Sequence, residues 1–126
     1  MRVRILRHCT QAMIVIYHNP RCSKSRQTLE LLRARGIEPE VIPYLDHPPD
    51  PTALRELLRK LGMPARQLLR KGEPEYRSEG LGDPDCSEAQ ILAAMSAHPR
   101  LIERPIVVRG ERAVLGRPPE NVLELL

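Results

Sequence analysis

Phenylalanine and tryptophan are both absent from this 126-residue chain, and aromatic residues make up only 2 % of it. The core must therefore be aliphatic, and stacking of bases on aromatic rings is argued against, so no nucleic-acid partner is expected. Long hydrophobic runs are missing too. None approaches the roughly 20 apolar residues that a membrane span needs, and residues 1 to 12 lack the apolar centre of a secretory signal, so the expectation is no membrane partner and a cytoplasmic location. Cysteine is scarce: Cys9, Cys22 and Cys86 are an odd number with no C-x-x-C pair, which argues against a disulfide framework. His18 and Cys22 stand four apart, but Pro20 lies between them and no second pair completes a site, so no metal is expected. Glycine is outnumbered by proline, 7 to 13, which points to stiff connections.

What is present fits one domain: 41 % hydrophobic residues at this length supply a single core. The net charge of +4 owes three of its positives to Arg2, Arg4 and Arg7, and from Met13 onward the excess is one charge, so a broad phosphate-binding face is not implied. Arginine outnumbers lysine 17 to 3, and its planar fork suits bidentate binding of oxyanions.

Residues 13 to 17 (MIVIY) form a short β-branched run that reads as a central strand. A helix follows from Ser23 to Arg35, with Leu29 and Leu32 on one face and Gly36 as its stop. Residues 41 to 45 read as a second strand, which Pro43 places at an edge or ends early. Asp50-Pro51 opens a helix carrying Leu54, Leu57, Leu58 and Leu61, and Leu68 and Leu69 belong to a short helix after Pro64. Residues 72 to 86 read mostly as loop. Ser87 and Gln90 make a capping-box pattern for a helix that Pro99 closes. Residues 105 to 108 and 113 to 115 have hairpin spacing around Gly110, and residues 119 to 126 end the chain as a helix. The order is strand, helix, strand, a helical block, two strands and a helix: the thioredoxin-like α/β plan (βαβ, β-hairpin, C-terminal helix) with a helical insertion at about 51 to 98. The globular domain is expected over 13 to 126. Residues 1 to 12 are expected to be a non-globular extension, explained by a start codon assigned upstream of Met13.

Cys22 lies between the first strand and its helix, in His18-Asn19-Pro20-Arg21-Cys22-Ser23-Lys24-Ser25-Arg26. A thiol there meets unpaired backbone N–H groups and the positive end of the helix dipole, with Arg21, Lys24 and Arg26 adding positive potential; each favours a nucleophilic thiolate. A thioredoxin-type site would put a second cysteine where Ser25 stands. A serine can hydrogen-bond a thiolate but cannot resolve a mixed disulfide, so an outside thiol is required. The place of the arginine in a phosphatase-type C-x5-R loop is taken by Thr28, so that loop is absent.

The segment from Tyr17 to Arg26 resembles the active-site segment of the glutaredoxin-coupled arsenate reductase family. Leu68-Leu69-Arg70-Lys71, Glu103-Arg104-Pro105-Ile106-Val107-Val108 and Gly116-Arg117-Pro118 resemble the family's other signature segments, in order and at similar spacing. The resemblance covers roughly residues 13 to 126. It implies a thioredoxin-like fold with a helical insertion, Cys22 as nucleophile, and Arg70, Arg104 and Arg117 as binders of the substrate oxyanion. It further implies that Pro105 is cis beside the nucleophile, and that His18 and Ser25 support the thiolate by hydrogen bonding and charge. Arsenate is then the substrate, glutathione a co-substrate and glutaredoxin the partner that clears the mixed disulfide, with no bound cofactor. Two rivals remain on the same scaffold: a general glutathione-dependent thiol reductase, whose arginines would bind glutathione carboxylates, and a transcription regulator of the Spx-like group. Such regulators typically carry C-x-x-C and need not hold the arginines, so Ser25 and the arginine set favour the enzyme.

Overall fold

The structure, a computed structural model, describes residues 13–126; the expected extension at residues 1 to 12, with Cys9, lies outside the described residues. Four strands form one sheet in the order β2-β1-β3-β4. β1 (Ile14–Tyr17) runs parallel to β2 (Glu40–Ile42), and helix α1 (Ser23–Ala34) makes the crossover between them. β3 (Ile106–Arg109) pairs antiparallel with β1, and β4 (Arg112–Leu115) pairs antiparallel with β3. The hairpin between β3 and β4 turns on Gly110 and Glu111. Gly110 carries φ 62°, which a two-residue hairpin needs and an L side chain adopts only under strain.

The period-2 alternation of the inner strands divides the core into two layers. Ile14 and Ile16 of β1 and Val107 of β3 pack with Leu29 and Leu32 of α1 and with Val122 and Leu125 near the C-terminus. Ile106 and Val108 turn to the opposite face, where they join Leu54, Leu57, Leu58, Leu68, Ile91, Leu92 and Met95. Strands covered on both faces read as continuous apolar runs, which is how β1 and β3 read in the sequence. Tyr44 is the one aromatic among the fully buried large side chains.

Between β2 and β3 lie α2 (Pro51–Leu61), α3 (Ala65–Leu68), α4 (Pro74–Ser78) and α5 (Glu88–Ala97). Asp50 caps α2 by accepting from the Ala53 N–H at 2.8 Å, and Ser87 and Gln90 close the expected capping box on α5. None of the helices described is long and apolar enough to cross a membrane.

Two local expectations need correction, the placing of Leu69 and the kind of terminal helix, and two are sharpened. β2 stops at Ile42, because Pro43 has no N–H for the ladder; Tyr44 and Leu45 therefore lie in a turn. Leu69 leaves the short helix and pairs in an isolated bridge with Ile102. Residues 72 to 86 contain α4, whose Pro74 sits where a helix tolerates a missing N–H. The terminal helix is 3₁₀ over Pro119–Leu125: short segments settle for i→i+3 bonds such as Asn121 N–H to Pro118 O, and the Asn121 side-chain amide also donates to Leu115 O and Arg117 O.

Candidate active site

Cys22 occupies the N-cap position of α1 with extended backbone angles (φ −99°, ψ 124°) and is only 8 % exposed. Its own N–H donates to Asn19 O at 3.0 Å, so the Asn19–Cys22 turn fixes where the sulfur points. Burial pushes the thiol up, but opposing influences outweigh it and the net shift is downward. These are the Ser25 N–H, the Arg104 charge, the Lys24 N–H and the reach of the Arg104 guanidinium toward the sulfur. The N–H groups approach without closing a full capping hydrogen bond, so they act as the open positive end of the helix.

The charge that favours the thiolate is thus not the local one expected. Arg21 and Lys24 are exposed, and the Arg26 guanidinium donates to Pro20 O at 2.8 Å. Arg104 arrives from a segment far along the chain.

That segment is held by a short zipper. Arg70 N–H donates to Leu101 O at 2.7 Å and Glu103 N–H to Leu68 O at 2.8 Å, flanking the Leu69–Ile102 bridge, so Arg70 and Arg104 leave the same two-stranded contact. The Arg104–Pro105 peptide is cis, as the resemblance implied, and so is Arg117–Pro118. Gly116 N–H donates to Pro105 O at 2.9 Å, and the Arg117 guanidinium reaches Arg104 O at 3.4 Å. The geometry brings Arg104 to Cys22 and ties the backbones carrying Arg70 and Arg117 to it. Arg117 is exposed, whereas the side chains of Arg70 and Arg104 are 24 % and 13 % exposed.

His18 and Ser25 are buried together. Ser25 Oγ lies 2.6 Å from His18 Nδ1 and accepts from the Asn19 N–H at 3.0 Å. The serine hydroxyl is thus committed to His18 and the backbone; what Ser25 offers the sulfur is its N–H. Burial, followed by Arg33 and Arg26, holds the His18 imidazole below its ordinary pKa, so it is a neutral ring near pH 7.

Sequence reasoning missed two carboxylates. Glu73 lies 3.3 Å from the Arg70 guanidinium, and Glu103 lies 3.2 Å from that of Arg104. Each arginine thus carries an internal counter-ion. Glu103 directly precedes Arg104, and Glu73 follows Arg70 by three, but acidic neighbours of surface arginines are too common to single out a pair. Among the described residues no group of three His, Cys, Asp or Glu side chains could hold a metal.

A lowered thiol at the N-terminus of the first helix, with the Arg104 guanidinium reaching it from the segment before β3, sits on a thioredoxin-like α/β fold. The ArsC family model matches residues 17–125, and the chain belongs to that family. It is 53 % identical over 114 residues to the uncharacterized protein YfgD of Escherichia coli K12, covering 90 % of this chain and 96 % of that protein. It is 46 % identical over 114 residues to an arsenate reductase of Haemophilus influenzae, covering 90 % of this chain and 98 % of the relative. Among solved structures, an arsenate reductase from Vibrio cholerae superposes with a TM-score of 0.89 at 50 % identity, covering 91 % of this chain and 98 % of that one.

Proposed function

We propose that this protein is an arsenate reductase in which the Cys22 thiolate is the nucleophile and Arg70, Arg104 and Arg117 bind the oxyanion. Arsenate carries roughly one to two negative charges near neutral pH, like the phosphate it resembles, and a thiolate attacking it meets like-charge repulsion. The guanidiniums offset that repulsion and stabilise the oxygen that departs. The sulfur forms an S–As bond as one arsenate oxygen, protonated, leaves as water. Glutathione thiol then attacks the adduct. Two thiols lose two electrons, As(V) becomes As(III) and leaves as arsenite, and Cys22 is left in a mixed disulfide with glutathione. Glutaredoxin, through an external thiol, returns Cys22 to the thiol form.

The observation that carries this reading is a buried thiol lowered by the N–H groups of its helix and by Arg104, whose backbone segment is hydrogen-bonded to the segments carrying Arg70 and Arg117. Purified protein given arsenate, glutathione and glutaredoxin is expected to produce arsenite, with Cys22→Ser inactive. Glutathione-dependent disulfide reduction without arsenite would favour the general thiol reductase instead.

A further inference from the structure

Tyr44 is 1 % exposed, and its hydroxyl is buried with no hydrogen-bond partner among the described residues. An unsatisfied buried hydroxyl is costly, and such groups are rare. This one lies just past β2, where Pro43 has ended the ladder and turned the chain inward. Its neighbourhood is the site described above: the phenol feels the charges of Arg104, Arg70 and Cys22, Arg104 most strongly.

The polar groups around it are nearly all donors. The Asn19 side chain lies near the hydroxyl, but Asn19 Oδ1 already accepts from the Arg21 N–H at 2.9 Å, leaving its amide N–H to face the phenol. Arg104 Nε is buried without a partner as well. Glu73 and Glu103 are engaged by Arg70 and Arg104 and make no bond to Tyr44. Two buried donors beside a thiolate are left with no acceptor. A tetrahedral oxyanion, which offers acceptors on every side, supplies what both lack.

We infer that the Tyr44 hydroxyl is a fourth oxyanion-binding group, a neutral donor that closes on one oxygen of the anion held by Arg70, Arg104 and Arg117. The inference rests on the oxyanion-site reading proposed above. Burial pushes the phenol up to about 12, the nearby guanidiniums only partly opposing it, so the hydroxyl stays protonated and can donate throughout the neutral range. In the free protein the hydroxyl is covered, so the anion reaches it only after a neighbouring side chain moves. Arg104, turned toward Glu103, has a rival anion to leave. Charge assistance makes such a donor worth keeping unsatisfied in the free state.

Tyr44→Phe removes the oxygen and keeps the ring in the core, and protection of Cys22 from iodoacetamide by inorganic phosphate reads oxyanion affinity directly. Loss of a hydrogen bond to a charged group predicts that the phosphate concentration for half-protection rises about tenfold or more, with a similar rise in arsenate KM. The alkylation rate against pH without anion is expected to match wild type, and the melting temperature to hold or rise, because an unpartnered hydroxyl has been deleted. Unchanged half-protection overturns the proposal. A shifted alkylation profile without anion also overturns it, since the hydroxyl would then act on the thiolate. If neither phosphate nor arsenate protects wild-type Cys22, the oxyanion site itself fails and the Tyr44 role falls with it.

Discussion

The His18 imidazole and the Ser25 hydroxyl stand 2.6 Å apart, Nδ1 to Oγ, and this buried pair joins the end of β1 to the first turn of α1. Because the Asn19 N–H already donates to the same oxygen, a neutral imidazole can accept the serine proton, whereas an imidazolium would have to be buried among arginines. The site is therefore built around an uncharged His18. A base whose folded pKa lies below its unfolded value, about 6.5, binds fewer protons folded than unfolded between the two values. Stability rises with pH across that window, is fully present above about pH 6.5 and declines as pH falls below it. The wild-type melting temperature is expected to drop more between about pH 7 and pH 5.5 than that of His18→Gln. Parallel curves would remove His18 from the acid sensitivity of the fold.

Ser25→Ala separates the hydroxyl from the backbone. It deletes the bonds to His18 and Asn19 but leaves the Ser25 N–H facing Cys22. Stability is expected to fall by about 1–3 kcal/mol, the cost of leaving buried groups unpaired, while iodoacetamide labelling of Cys22 against pH changes little. A rise of the labelling midpoint by a full unit with unchanged stability would return the hydroxyl to the sulfur.

Arg104 is the cation that lowers Cys22, and it does so with direction as well as charge. Arg104→Lys keeps the charge and loses the fork. Arsenate kcat/KM is expected to fall by at least about tenfold, the scale of one hydrogen bond to a charged group, and the Cys22 labelling midpoint to rise, with the fold intact by circular dichroism. Wild-type kinetics in this variant would take Arg104 out of the site.

Much of this was legible before the structure. The apolar run of β1, the Asp50 and Ser87 caps and the hairpin at Gly110 are local signals, each decided by a few adjacent residues, and the structure keeps them. The cationic surroundings of Cys22 were misread because adjacency in sequence suggested Arg21, Lys24 and Arg26, while the fold spends Arg26 on Pro20 O and brings Arg104 across from the β3 side. The unpartnered hydroxyl of Tyr44 and the pairing of Arg70 with Glu73 depend on long-range packing and left no periodic trace. Residues 41 to 45 had the composition of one strand; Pro43 decided where pairing stops, and so left Tyr44 in a buried turn instead of a ladder.

Gly116 sets how closely the Arg117 segment can approach α1. A Cβ there would stand 2.5 Å from Thr28 Oγ1 and 2.9 Å from Pro105 Cγ, distances that real side chains do not tolerate. Thr28 is fully buried and Pro105 lies under the site, so neither can yield freely. Gly116→Ala is expected to destabilise by about 1–3 kcal/mol, as overpacking does, and to raise arsenate KM by displacing Arg117. A variant as stable as wild type with unchanged KM would mean that this contact carries neither burden.

Cys86, the second free cysteine among the described residues, is expected to take no part in resolving the Cys22 adduct. It lies in the acidic stretch from Asp83 to Glu88, and both its backbone N–H and its carbonyl are tied down. The Arg66 guanidinium donates to Leu81 O, Asp83 O and Cys86 O at 2.9, 2.6 and 3.2 Å, and Cys86 N–H donates to Asp83 O at 3.0 Å. The next residue is the capping box of α5, so moving Cys86 would cost a helix cap as well as an arginine that satisfies three carbonyls. Its side chain packs against the α2–α5 core layer. An external thiol is thus the route that leaves the fold intact. Cys86→Ser is expected to match wild-type arsenite production with glutathione and glutaredoxin, and neither protein should turn over more than once without them. Multiple turnovers driven by thioredoxin alone, and lost in Cys86→Ser, would instead show a chain that resolves its own intermediate.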